Sequence, residues 1–309
     1  MVSTDNNNNS DTSTNTVEVY TVDHGYGLLV YGGISDICHF TNMDGEDDEL
    51  DCFGDSIIYS KITSPDEVVV VSLNGIIVWY DPIKKSIIER IDLGEDISFA
   101  TSHGSIVYCG GNNGMVFKND MVITNHGSMI VEIVIDDDTV YSLSQTRLIA
   151  INNYKETLNV SLAGGTAFLI GPLICVGFER DVKFYRLDGR MLKHIVSHNF
   201  ETYVETICHV NECYLVGGRG NNMLIINFKT GTHIVKCMDG DKPIRGISRI
   251  KKYRDTEVVF STFCGRIGIG DYRTDFKYIK CGVGSIFDFF VGDGYIIIGG
   301  EFGIEILNI

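Results

Sequence analysis

The chain has 309 residues, 44% hydrophobic and 21% charged, with 34 Gly against 4 Pro and a net charge of −16. That apolar content supports a sizeable core, and the glycine excess points to short strands and tight turns. The acidic balance argues against a stand-alone nucleic-acid binder, because phosphate neutralisation supplies most non-specific affinity.

The chain opens on a polar Ser/Thr/Asp stretch around Asn6-Asn7-Asn8-Asn9 and lacks the apolar core of a signal peptide. Residues 1–15 are therefore expected to be a disordered tail, and residues 16–309 one domain. No window reaches the ~18 uninterrupted apolar residues of a membrane helix. Nine cysteines stand singly, with no CxxC pair, as free thiols of a reducing compartment would. An intracellular protein of nucleus or cytoplasm is expected. The charge is uneven. Residues 1–150 hold 24 Asp/Glu and 6 Lys/Arg, residues 151–309 hold 17 and 19.

Along the chain, one pattern recurs eight times: a β-rich run ending in small residues, a short turn, and a second alternating run. The copies are Leu28–Phe40, Val68–Tyr80, Ile106–Phe117, Thr139–Ile151, Leu173–Tyr185, Cys213–Phe228, Val258–Ile269 and Tyr295–Leu307. Each is a hairpin signal. Shorter runs precede them, such as Ile97–Thr101, Ile130–Ile135, Val204–Cys208 and Ser285–Val291. Fourth runs follow most, such as Ser86–Asp92 and His233–Cys237. Four strands per repeat at this period predict an all-β propeller of eight four-stranded blades. The count is seven if the first repeat, with its acidic insertion Asp44–Asp51, is irregular. The last copy lacks an outer strand, so the segment around Val17–Val22 is expected to close the ring beside Glu305–Leu307.

No catalytic constellation stands out: there is no G-x-S-x-G elbow, P-loop or H-E-x-x-H. The glycines at 217–220 read as a hairpin turn, and Asp136-Asp137-Asp138 as a polar turn. The acidic run from Asp44 to Asp51 reads as a solvated loop, with a basic partner or cation as the sharper alternative. Cys208, His209 and Cys213 fit no common zinc spacing. Lys242, Arg245, Arg249, Lys251, Lys252 and Arg254 form either a basic face or a set of solvated side chains.

The small pairs Gly32-Gly33, Gly110-Gly111, Gly217-Gly218 and Gly299-Gly300, with Trp79-Tyr80-Asp81 and Gly270-Asp271, resemble the Gly/Ser and Trp-Asp steps of WD-repeat propellers. Residues 174–232 resemble more closely the non-catalytic WD-repeat subunit of eukaryotic tRNA (guanine-N7)-methyltransferase. Glu179-Arg180-Asp181-Val182-Lys183 matches its charged run, Tyr203-Val204 its Phe-Val step, and Lys229-Thr230-Gly231 its blade ending. His198-Asn199 and Asn227-Phe228 depart from its Gly-His and Trp-Asp. The resemblance implies a non-enzymatic subunit that grips a catalytic methyltransferase chain. It would contact tRNA only through that complex, with no membrane, no small-molecule substrate and no cofactor or metal of its own. Arg180, Asp181, Lys183 and Arg186 are the expected partner-binding residues. From the residues alone, the charges at 180–183 are equally an ion pair within the blade. Two other readings stand beside this one. One is an interaction scaffold of a different complex. The other is a diphthine methylesterase-like protein, echoed by His198-Asn199-Phe200-Glu201-Thr202-Tyr203 and Gly303–Leu307.

Overall fold

A computed structural model describes residues 17–42 and 44–309, so the expected tail at 1–15 lies outside the described residues. Its strands form eight antiparallel sheets, each a simple meander in chain order. The first strands of blades 1 to 8 are Val19–Gly25, Ile57–Ser64, Ile97–His103, Ile130–Asp136, Ala167–Leu169, Val204–Val210, Ile247–Lys252 and Ile286–Val291. Each lies beside the next around a central channel, and that of blade 1 lies beside that of blade 8. The count is eight. Blades 1 to 7 have four strands, and blade 8 has three among the described residues. A small extra hairpin, Met238–Asp239 with Lys242–Pro243, widens the link from blade 6 to blade 7.

The small-residue step is set by packing between blades. A Cβ on Gly32 would fall 2.6 Å from Ile57, on Gly110 2.4 Å from Ile130, on Gly177 2.4 Å from Val204, and on Gly217 2.7 Å from Ile247. In each case a β-branched residue opens the next blade's first strand and presses on the glycine. The pleat then brings the neighbouring sheets closer than any side chain at that step would allow. Seven of the eight first strands also carry a register shift against the second strand near their start, the bend that β-bulges give a strand.

Ring closure differs from the expectation. Of the segment expected at 16–23, the described residues 17–23 do not pair beside Glu305–Leu307; Val19–Gly25 pairs with Leu28–Gly33 as the innermost strand of blade 1. The reason is in the repeat itself. The hairpin Leu28–Phe40 needs a first strand as the others do. Val19 also fills the role of Ile57, Ile130, Val204 and Ile247, since a Cβ on Gly299 would fall 2.7 Å from it. Val19 and Val22 are buried, as an innermost strand requires and an outer one does not. Side chains then lock the seam. Asp288 of blade 8 accepts the Val22 N–H at 3.3 Å, Tyr295 Oη meets His24 Nδ1 at 2.8 Å, and Tyr20 packs edge-on against Phe287.

The acidic segment of blade 1 is regular structure. Asp47–Asp51 is the blade's outermost strand, with Glu49 against His39 and Asp48 accepting the Tyr80 hydroxyl. All nine cysteines are free thiols, seven of them buried.

Candidate functional site

Antiparallel meanders sort the turns onto two faces. The start of every first strand, the turn from second to third strand and the links between blades all share one face. Backbone bonds tie six of the eight second-to-third turns to the preceding links around the channel mouth there. Ile34 N–H donates to Glu18 O, Leu73 to Ser56 O, Asn112 to Asp96 O, Gln145 to Met129 O, Arg219 to Tyr203 O and Glu301 to Ser285 O. These equivalent positions, with Phe263, put about one side chain per blade on a single ring.

That ring has two halves. On blades 7, 8, 1 and 2 the turns present Phe263, Phe302, Ile34 and Leu73, all exposed. Both phenylalanine rings rest on link glycines, since a Cβ on Gly246 would fall 2.3 Å from Phe263 and one on Gly284 2.8 Å from Phe302. The rings are held in place and still face solvent. Around this arc stand Glu18, Asp36, Asp55, Glu95, Asp96 and Glu301, none of them in an ion pair among the described residues. From blade 8 through blade 3 the turns and links of this face carry no lysine or arginine.

Blades 4 to 7 carry the cations: Arg147, Arg180, Arg219, Lys242 and Arg245 on turns and links. Arg219 is tied down, its Nε 2.7 Å from Glu205 Oε1 and its guanidinium 4.6 Å from the Tyr203 ring centroid. A cavity of about 700 Å³ opens on this side between Met129, Gln145, Gly165, Glu179 and Tyr203.

Below the mouth, the channel is belted by opposed charges. Asp23 pairs with Lys61 at 3.1 Å, and Asp288 takes Arg249 at 2.9 Å and Lys251 at 3.3 Å. Burial alone would raise the Asp288 carboxyl, but Arg249 and Lys251 outweigh it and hold it below the usual range. Burial pushes the Lys251 ammonium down, opposed by Asp288. Glu132, facing a second channel cavity, is pushed up to about 7 by burial despite the Phe168 N–H it accepts at 2.8 Å and the nearby Arg249. These cations are neutralised within the channel wall. No group of three or more His, Cys, Asp or Glu could hold a metal among the described residues.

The residues singled out in the sequence are divided by this geometry. Arg180 is exposed at the blade 5 turn on the mouth face. Asp181 and Lys183 are brought together 3.4 Å apart, with Lys183 4.4 Å over the Phe178 ring, which is the intrablade pair. Arg186 lies five residues beyond Asp181 on the same strand, about 17 Å away towards the other face. The basic run at 242–254 is likewise divided between the mouth (Lys242, Arg245) and the channel (Arg249, Lys251). Glu201, in the link from blade 5 to blade 6, is engaged by Asn222 Nδ2 at 2.7 Å. The apolar arc is absent from the sequence-based expectations. Its signal was available as the residue after the small-residue step in blades 1, 2 and 7 (Ile34, Leu73 and Phe263) and one residue later in blade 8 (Phe302), compared across the eight repeats.

A ring of eight such blades around a charged channel is a WD-repeat type of propeller. The chain belongs to the WD40-like domain family, whose model matches residues 17–307. The fold is typically a non-catalytic scaffold. No curated protein sequence matches it significantly. Among solved structures, Sqt1 from Chaetomium thermophilum superposes with a TM-score of 0.81 at 12% identity, covering 95% of this chain and 97% of that one. Sqt1 from Saccharomyces cerevisiae gives 0.79 at 13% identity, covering 95% and 96%. The Chaetomium protein has also been solved bound to the N-terminus of the ribosomal protein L10, and this chain matches that structure at 0.79 and 13% identity, covering 95% and 97%. At these identities the likeness is one of fold. No helix of the described residues is long and apolar enough to cross a membrane.

Proposed function

We propose that this propeller is a non-catalytic docking subunit that holds an extended segment of a partner protein across the channel mouth. The observation that carries this reading is the arc of Phe263, Phe302, Ile34 and Leu73, exposed, spread over four successive blades and ringed by carboxylates that stand in no ion pair among the described residues. Exposed aromatic side chains held in place are the anchors that dominate binding energy at interfaces. The carboxylate surround selects a basic segment with bulky apolar residues. The structure of Sqt1 with a ribosomal protein's N-terminus supports the idea that this fold can take a chain end.

For the partner's identity we take the catalytic subunit of a tRNA (guanine-N7)-methyltransferase, with tRNA met only through the complex. The resemblance over residues 174–232 supports it, and Arg180, free at the blade 5 turn, is the residue of the charged run best placed to reach that subunit. Purification of the tagged protein, with mass spectrometry of what accompanies it, tests both levels. A methyltransferase subunit lost from a Phe263→Asp, Phe302→Asp variant is the expected result. A different partner lost from that variant would keep the docking mouth and remove the methyltransferase. A methyltransferase retained by the variant would move the contact to another face.

A further inference from the structure

The charges of the channel pair off, but their hydrogen-bonding groups do not. One cavity of about 340 Å³ is lined by Asp23, Lys61, Arg249, Lys251 and Asp288 together. Blade 7 brings Arg249 and Lys251 to it and blade 2 brings Lys61, with the carboxylates of blades 8 and 1 between them around the ring.

Each oxygen of those two carboxylates already accepts a hydrogen bond. Asp23 takes the Lys61 ammonium on Oδ1 and the Ile62 N–H on Oδ2 at 2.8 Å. Asp288 takes both blade 7 cations on Oδ1 and the Val22 N–H on Oδ2. The nearby hydroxyls are engaged too: Tyr59 with Ser102, Thr21 with Ser60, and Ser98 with the carbonyls of Gly110 and Ile130. The cationic donors are not used up. A guanidinium has five N–H groups, and among the described residues Arg249 uses one of them, on Asp288. Lys61 likewise uses one N–H, on Asp23. Both side chains line the cavity and are half exposed. A hollow with engaged acceptors and spare cationic donors, walled by protein, is complementary to an oxyanion.

We infer that the channel binds a small phosphate monoester, its phosphate held by the Arg249 fork and by Lys61. The spread of the cations selects phosphate. A carboxylate offers two oxygens in one plane, which a single guanidinium satisfies. Donors converging from different blades suit the three terminal oxygens of a tetrahedral group. The body of the molecule has room in the adjoining cavity of about 450 Å³, which shares Phe99, Arg249 and Lys251 and adds the apolar walls Val131 and Ile207. Cavities of this size and lining suit small molecules. Two carboxylates line that second cavity. Glu205 is held by Arg219 at 2.7 Å, and burial has already weakened the hold of Glu132 on a negative charge. The site lies inside the ring, below the apolar arc, and stands whether or not the mouth binds a partner.

Phenyl phosphate and benzoate share a ring and differ in the anion, and serve as probes for the full chain in titration calorimetry at low salt and neutral pH. The expected result is one phenyl phosphate bound per chain, with benzoate at least about tenfold weaker. Arg249→Gln should weaken phenyl phosphate at least about tenfold and Lys61→Gln at least about threefold. Lys193→Gln removes an exposed charge from Met191–Asn199, the outermost strand of blade 5, and should leave the affinity unchanged. Lys61→Gln should melt within a few degrees of the parent, because Lys61 is half exposed. It alone decides the matter if Arg249→Gln does not fold. Absence of phenyl phosphate binding or equal binding of benzoate overturns the inference. So does an equal loss in Lys193→Gln, or an affinity that the channel variants leave unchanged.

Discussion

The two halves of the channel mouth are built from the same backbone and carry opposite chemistry. On blades 7, 8, 1 and 2 the turns hold apolar side chains, with carboxylates outside any ion pair among the described residues around them; on blades 5 and 6 the turns hold Arg180 and Arg219, the link onward to blade 7 holds Lys242 and Arg245, and a hollow opens beside them. Since the hydrogen bond from turn to preceding link recurs in six blades, drawn from both halves, the backbone does not decide the difference. Specificity on this scaffold is therefore a matter of one residue per repeat, and a partner reads the ring rather than any linear stretch.

The largest effect should come from the apolar arc. Replacing Phe263 and Phe302 together by Asp puts charges where two anchors sit, and anchors of this kind are worth at least about 2 kcal/mol each. Affinity for the co-purifying partner should fall by about thirtyfold for one anchor and towards a thousandfold for both, with the melting temperature nearly unchanged because both rings are exposed. An unchanged affinity, measured by titration calorimetry, would break the comparison and leave the arc as ordinary surface.

The cationic half should matter less, and unequally. Reversing Arg180 to Glu should weaken binding about tenfold if the methyltransferase subunit reaches blade 5, an effect that shrinks between 0.1 and 1 M salt as the screening length contracts from about 10 to 3 Å. Lys183→Glu should change affinity less than about threefold. Its ammonium already serves Asp181 and Phe178, and losing a half-exposed pair costs within about 1 kcal/mol of stability. Equal losses at both positions would show that the whole charged strand docks.

The blades were legible in the sequence because each carries its own evidence. Strands announce themselves by alternation, turns by glycine and asparagine, and eight copies corroborate one another. The first strand of blade 1 was misassigned because Val17–Val22 stands alone ahead of the repeats, and only the contact of Val19 with Gly299, 280 residues away, shows which blade it serves. The mouth was not legible as a run. Ile34, Leu73, Phe263 and Phe302 are each unremarkable in their own repeat and meaningful only once the ring closes. Asp181 and Lys183 showed the reverse: adjacent charges drew notice, and the structure spends two of them on each other.

The smallest effect lies in the channel, where two carboxylates differ as the halves of the mouth do. Asp288, at the seam of blades 8 and 1, is held low by Arg249 and Lys251, so its stabilising charge is present at neutral pH and is lost only on acidification below the usual carboxylate range. Glu132, on blade 4, is pushed the other way, to about 7 from an ordinary 4.5, chiefly by burial. Between those values the native state holds a proton that the unfolded chain releases, so stability falls as pH rises through the window and stays lower above it. Glu132→Gln keeps an oxygen to accept the Phe168 N–H and removes the titration. The variant should melt with the parent near pH 4 and stand higher at pH 8 by about 1 to 2 kcal/mol, a few degrees for a chain of this size. The gain is held to that range because Glu132 is half-buried, lining a channel open to water. A variant no more stable than the parent at pH 8, by thermal denaturation across that range, would show that channel water already solvates the Glu132 carboxylate. The contrast between the two carboxylates would then reduce to the cations around Asp288 alone.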